Sequence, residues 1–315
     1  MNDSRAANGA ASPTLVPCPA CASIRFRARH RVAGFAIVDC RACGLTFVNP
    51  QPCEADLGKF YAEVFHTPEW YGRFPHLKQF DYFGSAAGES AGHRSYVELV
   101  RRLVFPGSWL DVGCGHGALA QCASEAGYDA FGVDPSPLAV DAARQRLGRE
   151  RVFLGSLPDV RFATNRFSVV SLIGTIEHLS QPLANLREIY RILAPGGLLL
   201  VQTPNMGSLQ YRRLGAAWEQ FTPPGHLLFF TPRTLRRILR TAGFIGVQFD
   251  MRFPLDADWT YGSAAAGPSR IRRPLFSTAI GLLGSRCELA LQRLKGRVLG
   301  KHDIICLAWT PRHRR

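Results

Sequence analysis

Long apolar runs are missing from this 315-residue sequence: no stretch approaches the roughly 18–20 apolar residues that cross a bilayer. The segment from Met1 to Val16 lacks a continuous apolar core, which argues against an export signal and predicts a disordered tail over residues 1–15. Without such a signal, nine cysteines, an odd number, favour a reducing compartment. We therefore expect a cytoplasmic protein with no membrane span.

Lysine is scarce throughout the chain, and acidic residues are scarce toward its end. Only 4 of the 38 basic residues are Lys, and genome composition is the alternative explanation for this bias toward Arg. The local loss of acidic residues is different: residues 231–315 contain 5 acidic and 16 basic side chains, against 19 and 22 in residues 1–230. This last region holds most of the net charge of +14, which predicts contact with a polyanion or a membrane surface.

Two Cys-x-x-Cys pairs stand near the start of the chain, Cys18 with Cys21 and Cys40 with Cys43, with 18 residues between them. Four thiolates at this spacing predict a structural zinc ribbon over residues 16–50; a redox dithiol and unligated cysteines are the alternatives. Four cysteine ligands close the coordination sphere, so the metal would not be catalytic. The arginines that alternate from Arg25 to Arg31 fit a solvated strand face, with anion contact as the alternative.

Residues 51–93 read as an aromatic-rich linker or helical segment, with a flexible joint predicted at 84–92, where Gly, Ser and Ala predominate. Strands and helices then alternate over residues 94–315. Strands are predicted at 108–112, 130–133, 169–173, 198–202, 244–249 and 304–309, and helices at 96–104, 118–126 and 182–193. This alternation predicts an α/β fold: a Rossmann-like, doubly wound and mostly parallel sheet, preceded by the small zinc ribbon.

A glycine loop follows the first strand of this module, with Gly113, Gly115 and Gly117 at alternate positions. Asp111 precedes the loop by two residues, and Asp134 follows the next strand. A carboxylate beside the loop repels a pyrophosphate but accepts a hydrogen bond from an ammonium group, and a carboxylate at the second strand suits ribose hydroxyls. These features together indicate S-adenosylmethionine (SAM), whereas a tight turn without a ligand is the alternative.

The run Leu110-Asp-Val-Gly-Cys-Gly-His-Gly117, followed by Gly132-Val-Asp134, resembles the first motifs of the class I SAM-dependent methyltransferases. The resemblance covers roughly residues 108–250, and the segments 176–182, 191–197 and 224–232 are similar to a subgroup that includes quinone-biosynthesis O-methyltransferases. A ribbon ending at Pro50 is similar to sugar C-methyltransferases and related glycan enzymes. The resemblance implies a set of SAM-binding residues: Asp111, Gly113, Cys114, Gly115, Gly117, Asp134, Pro135, Ser156, Leu157 and Thr175. By the same resemblance, Ser156 and Leu157 fall where the family contacts the adenine, and Ser156 and Ser168 stand where many members of the family carry Asp.

Three side chains are candidates for catalysis: Glu177, His178 and His226. Glu177 and His178 follow a predicted strand at its carboxyl end, where open α/β sheets bind ligands. Either histidine is a candidate base for an acceptor hydroxyl, with Glu177 orienting His178 or helping to hold substrate or a metal; polar filling and packing are the alternatives. Trp218 and Phe221 are expected to line the acceptor pocket or to pack in the core.

The sequence predicts methyl transfer from SAM to a small or lipid-linked acceptor, on a glycan or quinone-type hydroxyl or carbon. An insertion at about 253–302 contains Arg270, Arg272 and Arg273 before an amphipathic helical pattern, which fits peripheral binding to an anionic inner membrane face or a lid. One alternative is an RNA methyltransferase that uses the ribbon and the basic end. The chain lacks an aromatic-basic RNA module and an Asn/Asp-Pro-Pro-aromatic motif, so nucleic acid is the less favoured partner. A SAM-binding protein without catalysis is the third hypothesis.

Overall fold

The computed structural model describes residues 15–65, 67–73, 86–249 and 303–311. The predicted tail over residues 1–15 lies almost wholly outside the described residues. The predicted insertion at 253–302 lies outside them as well, together with Arg270, Arg272 and Arg273.

Eleven strands are present in the described part of the chain. They are β1 (Phe26–Val32), β2 (Phe35–Cys40), β3 (Thr46–Val48), β4 (Ser108–Val112), β5 (Asp129–Asp134), β6 (Val152–Leu154), β7 (Phe167–Ile173), β8 (Leu193–Pro204), β9 (Leu228–Phe229), β10 (Ile245–Phe249) and β11 (Asp303–Trp309). The helices are α1 (Glu54–Lys59), α2 (Pro68–Tyr71), α3 (Ala86–Arg101), α4 (Ala118–Glu125), α5 (Pro137–Leu147), α6 (Leu157–Val160), α7 (Pro182–Ile192), α8 (Leu209–Leu214) and α9 (Pro232–Thr241). No described helix has the length and apolarity needed to cross a membrane.

The main sheet has seven strands in the order β10-β11-β8-β7-β4-β5-β6. The run from β8 to β6 is parallel, and β11 joins β8 antiparallel and also pairs antiparallel with β10. The centre of β8, residues 198–201, is fully buried, as expected for a strand covered by helices on both faces. The predicted Rossmann-like, mostly parallel sheet is therefore confirmed, and the carboxyl ends of its parallel strands share one edge.

The second sheet contains the ribbon and has the order β1-β2-β3-β9, with every pair antiparallel. Its fourth strand, β9, comes from much later in the chain than the other three and lies between α8 and α9. Within the ribbon, Arg27 and Arg29 both pair with the buried carboxylate of Asp39, which also accepts a hydrogen bond from Thr46. Two arginines of the predicted solvated face are thus engaged in ion pairs inside the ribbon.

The segment between the two sheets is more regular than its composition indicates. A π-helical turn over Phe60–Val64 continues α1, and α3 begins at Ala86. The flexible joint predicted at 84–92 is wrong, because residues 86–92 form the first turns of α3. Ala is the strongest helix former, and each Gly costs only about 1 kcal/mol, so packing of the helix overrides this local signal.

Candidate functional site

The glycine loop after β4 uses backbone conformations and spacings that only glycine tolerates. Gly113 has φ +71°, and a Cβ atom there would lie 2.5 Å from Thr175 Oγ1. The Gly115 N–H donates to Asp134 Oδ2 at 2.9 Å, and the Ser136 N–H donates to Oδ1 of the same carboxylate at 2.8 Å. The loop is therefore clamped to the end of β5, with a buried carboxylate at the centre of the clamp.

Asp111 is the second carboxylate of this region, and it is only 3% exposed. Ser171 Oγ donates to Asp111 Oδ1 at 2.6 Å, and the indole of Trp109 donates in turn to Ser171. Burial raises the pKa of Asp111 to about 7, because the hydrogen bond from Ser171 only partly offsets it and the charge of Asp134 adds to it. Burial also raises the pKa of Asp134. Two buried carboxyl groups beside a glycine loop are suited to hold a cationic ligand that carries hydroxyl groups.

The other residues predicted to bind SAM occupy different parts of this edge. Cys114 is buried against Gly132, and burial raises the pKa of its thiol far above the usual range, which fits a spacer rather than a nucleophile. Gly117 has φ +84° and lies against Ala143, where the glycine loop enters α4. Thr175 Oγ1 donates to the carbonyl of Val112 at 3.0 Å.

The residues expected near the adenine begin α6. Ser156 is exposed and caps this helix, with its hydroxyl and N–H both donating to the carboxylate of Asp159, whereas Leu157 is buried. Pro135 is exposed directly after Asp134. An acidic side chain, that of Asp159, thus lies three residues after Ser156 and caps the same helix.

The three candidate catalytic side chains are close together in the structure. Glu177 and His178 form a single 3-10 turn after β7, and His226 approaches from the loop before β9. One possible ligand or proton-transfer atom from each of the three lies within 4.8 Å of the other two. The two imidazole rings meet edge to face, with their centroids 4.7 Å apart.

Glu177 is the buried member of this group, at 2% exposure. Thr203 Oγ1 donates to its Oε2 at 2.9 Å, and burial raises the pKa of the carboxyl to about 8. A carboxyl with such a pKa exchanges protons near neutral pH. It is therefore able to orient an imidazole, share its proton or, with the two histidines, hold a divalent cation.

The orientation of His226 defines which of its nitrogens is basic. His226 Nδ1 lies 2.7 Å from the carbonyl oxygen of Gln220. Because a carbonyl only accepts, Nδ1 carries the hydrogen, and Nε2 of the neutral ring has the lone pair. In this orientation Nε2 is the ring atom with which His226 can accept a proton or bind a metal.

Tyr61 is a site residue that the sequence reasoning missed. Its hydroxyl lies 3.4 Å from His178 Nδ1, from the His178 carbonyl and from the Gly225 carbonyl. Burial raises its pKa, and the charges of Glu177 and Asp134 raise it further, so the phenol keeps its proton beside His178. Tyr61 lies on a π-helical turn, and such turns are frequent at functional sites. The sequence of the aromatic-rich linker does not indicate which of its rings contacts the candidate catalytic residues.

Trp218 and Phe221 belong to the core. They are 2% and 3% exposed and pack edge to face with centroids 5.3 Å apart, and Phe221 also contacts Phe229 of β9. Between the two alternatives given above, the structure therefore favours packing for both rings.

The four ribbon cysteines converge. Cys18 Sγ lies 3.5 Å from Cys43 Sγ, Cys21 Sγ lies 3.6 Å from Cys40 Sγ, and all four sulfurs lie within 4.8 Å of one another. The hydrogen bond between Cys18 and Cys43 lowers the pKa of Cys43 and raises the pKa of Cys18, so without a metal the two sulfurs share a proton. This donor set fits one tetrahedral zinc ion.

Comparison with known proteins identifies the family. Residues 89–248, about half of the chain, match the model of a family described as a methyltransferase domain. The chain therefore belongs to this methyltransferase family, and the resemblance found in its motifs is confirmed.

Two curated relatives and one solved structure illustrate the range of similarity. A malonyl-[acyl-carrier protein] O-methyltransferase of Serratia marcescens is 34% identical over 40% of this chain and 48% of its own length. A ubiquinone biosynthesis O-methyltransferase of Cereibacter sphaeroides is 31% identical over 42% of this chain and 58% of its own. A SAM-dependent methyltransferase from Archaeoglobus fulgidus shares the fold at a TM-score of 0.51 and 18% identity, over 72% of this chain and 95% of that one. The chain spans about half the length of the curated relatives it matches.

Proposed function

We propose that the protein transfers a methyl group from SAM to a hydroxyl of a small or lipid-linked acceptor of the quinone or glycan type. The observation that carries the proposal is the adjacency of two centres. Thr175 contacts the glycine loop, and Glu177 and His178 follow it on the same strand end. A buried site for a cationic donor thus adjoins a pre-oriented base.

The donor half fits SAM residue by residue. Asp111 would accept from the ammonium group and Asp134 from the ribose hydroxyls, while Gly113 and Gly115 allow the backbone to approach the ligand. Pro135, Ser156 and Leu157 would surround the adenine, and Cys114, Gly117 and Thr175 would shape the loop. When bound, SAM supplies a methyl group already activated by its sulfonium.

The protein's own contribution is then to position the acceptor and to accept its proton. His226 Nε2 would take the hydroxyl proton, with His178 as the second candidate base. Glu177 would orient the pair and balance the positive charge of the imidazolium. The curated relatives are both named O-methyltransferases, which supports oxygen over carbon as the methylated atom.

We assign structural zinc to Cys18, Cys21, Cys40 and Cys43. The support is the convergence of four sulfurs, since a closed set of thiolates stabilises a small fold and leaves no open coordination position.

We also infer a cytoplasmic location with peripheral binding to the anionic inner face of the membrane. The support is charge: α9 presents Arg233, Arg237 and Arg240 to solvent, beside a groove lined by these arginines, Arg236 and Thr241. A lipid-linked acceptor reaches an enzyme that binds at the membrane surface.

Radiolabelled SAM tests the reaction directly. The full chain is incubated with SAM carrying a tritiated methyl group and, in parallel, with 3,4-dihydroxybenzoate, malonyl-coenzyme A or total ribosomal RNA. We expect label in the phenol and a loss of about 10²–10⁴-fold in rate for His226→Gln, with the SAM Kd unchanged. Label in RNA would replace this proposal with the RNA alternative, and label in no acceptor, with SAM bound, would favour a SAM-binding protein without catalysis.

A further inference from the structure

The ribbon is joined to the catalytic cluster through the main chain of Leu227, the residue directly after His226. Leu227 is fully buried. Its carbonyl accepts from the Val48 N–H of β3 at 2.9 Å, and its own N–H donates to the Glu177 carbonyl at 2.8 Å. A single residue thus connects the ribbon on one side with Glu177 on the other.

The connection continues without a break to the second cysteine knuckle. In β3, Thr46 pairs with Phe229 and Phe47 with Leu228. The knuckle that precedes β3 is closed by main-chain bonds: the Gly44 N–H donates to the Cys40 carbonyl, and the Cys40 N–H donates to the Leu45 carbonyl. The turn that leads into β3 is therefore bonded to the main chain of Cys40 and contains Cys43, and β3 then pairs with β2.

A second contact reaches the other side of the His226 loop. The ring of His30, on β1, lies 5.5 Å from the ring of Phe221, and Arg29 donates to the hydroxyl of Tyr211 at 2.9 Å. Phe221 is adjacent to Gln220, whose carbonyl orients His226. The ribbon consequently supports the His226 loop both before and after the histidine.

The donor half is held by other elements. Asp134 and Gly115 join β5 to the loop after β4, and Asp111 is fixed by Ser171 of β7. These contacts lie within the main sheet, so they do not run through the ribbon.

Resting on the function proposed above, we propose that the zinc ribbon is a positioning element of the acceptor half. Its four-cysteine site sets the place of β3, and Val48 of β3 holds Leu227 so that His226 stays beside Glu177. Zinc loss would release His226 and leave the SAM site intact.

The test separates the two halves in the full-length protein. Cys43→Ser removes a zinc ligand, whereas the matched control Cys53→Ser changes a nearby thiol that only caps α1 through the Asp56 N–H; Ser is a good N-cap, so the control keeps its fold. Zinc content, the SAM Kd by calorimetry and the imidazole proton resonance of His226, assigned with His226→Gln, are measured for each. We expect Cys43→Ser to lose zinc, keep its SAM Kd within about twofold, shift the His226 resonance and lose at least tenfold in methyl transfer to 3,4-dihydroxybenzoate; the control should match wild type.

Val48→Pro addresses the connection while leaving every zinc ligand in place. Proline removes the N–H that donates to Leu227, so we expect full zinc content, an unchanged SAM Kd and the same shift of the His226 resonance, with Val48→Ile restoring the wild-type spectrum. An unchanged His226 resonance after zinc loss would overturn the proposal. Joint loss of zinc and SAM binding would also overturn it, since the ribbon would then support the whole fold. Failure of the wild-type chain to bind SAM would refute the proposed function itself.

Discussion

Asp111 lies within β4 and is surrounded by the main sheet, with Ser171 and Trp109 as its hydrogen-bonding support. Its carboxylate is therefore costly to ionise in the absence of a cation, and the pKa of about 7 expresses this cost. A ligand ammonium would remove the cost by pairing with the charge. The protonation state of Asp111 should therefore change the affinity of the protein for SAM.

We predict that SAM affinity falls as the pH drops below about 7, by up to about tenfold for each pH unit, because Asp111 must lose its proton to accept the ammonium. Calorimetry at pH 6.0, 6.5, 7.0 and 7.5 measures the dependence. Ser171→Ala provides the control: loss of the hydrogen bond to Asp111 raises the pKa further, so the fall in affinity should begin at a higher pH. A flat profile for the wild type would remove Asp111 from the cofactor site.

The buried carboxyl of Glu177 gives a prediction about the pH dependence of the stability of the protein without ligand. Its pKa is raised from 4.5 to about 8 in the folded protein. The contribution of Glu177 to the free energy of unfolding is therefore highest at acid pH, where Glu177 is protonated in both states, and it decreases as the pH rises through that range. Glu177→Gln mimics the protonated side chain and should stabilise the protein at pH 8.5 by roughly 1–4 kcal/mol, with little gain at pH 4.5. Thermal unfolding at the two pH values checks this, and an equal effect at both would contradict it.

Gly113→Ala should destabilise the protein and weaken SAM binding at least tenfold. The added Cβ would lie 2.5 Å from Thr175 Oγ1, on a residue with φ +71°. Gly127→Ala is a matched control, since Gly127 has φ +91° with no atom near the added Cβ. The control isolates the backbone strain, about 1–2 kcal/mol; equal losses in the two variants would show that the contact with Thr175 is unimportant.

At the scale of elements, six of the seven strands of the main sheet were predictable, because a buried strand is a continuous apolar run, as at residues 198–201. The sequence did not predict β6, since its three residues, Val152–Leu154, are too short a run to stand out. The glycine loop and its two carboxylates were predictable because their chemistry is local in sequence. β9 was not predictable: two residues, Leu228 and Phe229, form a strand only because β3 lies beside them. The role of Tyr61 was not predictable for the same reason, since its contact with His178 joins segments that are distant in sequence and leaves no periodic pattern in the sequence.

Cys40→Ser should release zinc and unfold the ribbon as a unit. Because a ribbon of this size depends on its metal, amide protons of β1, β2 and β3 should lose their exchange protection, whereas those of β4 and β5 should retain it. Hydrogen exchange followed by mass spectrometry, together with metal analysis, measures both effects. Retained zinc or retained protection in β2 would contradict the four-cysteine assignment.

At the scale of the whole molecule, positive charge is concentrated rather than spread. Residues 231–315 hold 16 basic and 5 acidic side chains, and α9 displays part of this excess on its solvent face. The carboxyl edge of the main sheet instead carries the buried carboxyl groups of Asp111, Asp134 and Glu177. In the described part of the chain, buried acidic groups are thus separate from the exposed arginines of α9.

Binding to anionic vesicles should depend on where the arginines lie on the surface and not only on the net charge of the protein. We expect co-sedimentation with vesicles that contain phosphatidylglycerol and none with vesicles of phosphatidylcholine alone. The bound protein should be released at 0.5 M salt, where the Debye length is about 5 Å and the attraction between charges is screened. Arg233→Glu with Arg237→Glu should reduce binding at least fivefold. Arg146→Glu with Arg149→Glu changes the net charge equally on exposed positions near the end of α5. Equal losses in the two variants would show that α9 is not the binding surface.

The pairing of β3 with β9 also determines the order in which the protein can be completed during translation. The knuckles at Cys18 to Cys43 leave the ribosome early, yet the partner strand at Leu228–Phe229 follows only after most of the main sheet has been made. Until then β3 presents an open edge, which is a template for pairing with other chains. The pairing of β3 with β9 must therefore wait for the catalytic fold, so truncated chains that end before residue 228 should aggregate more readily than longer ones.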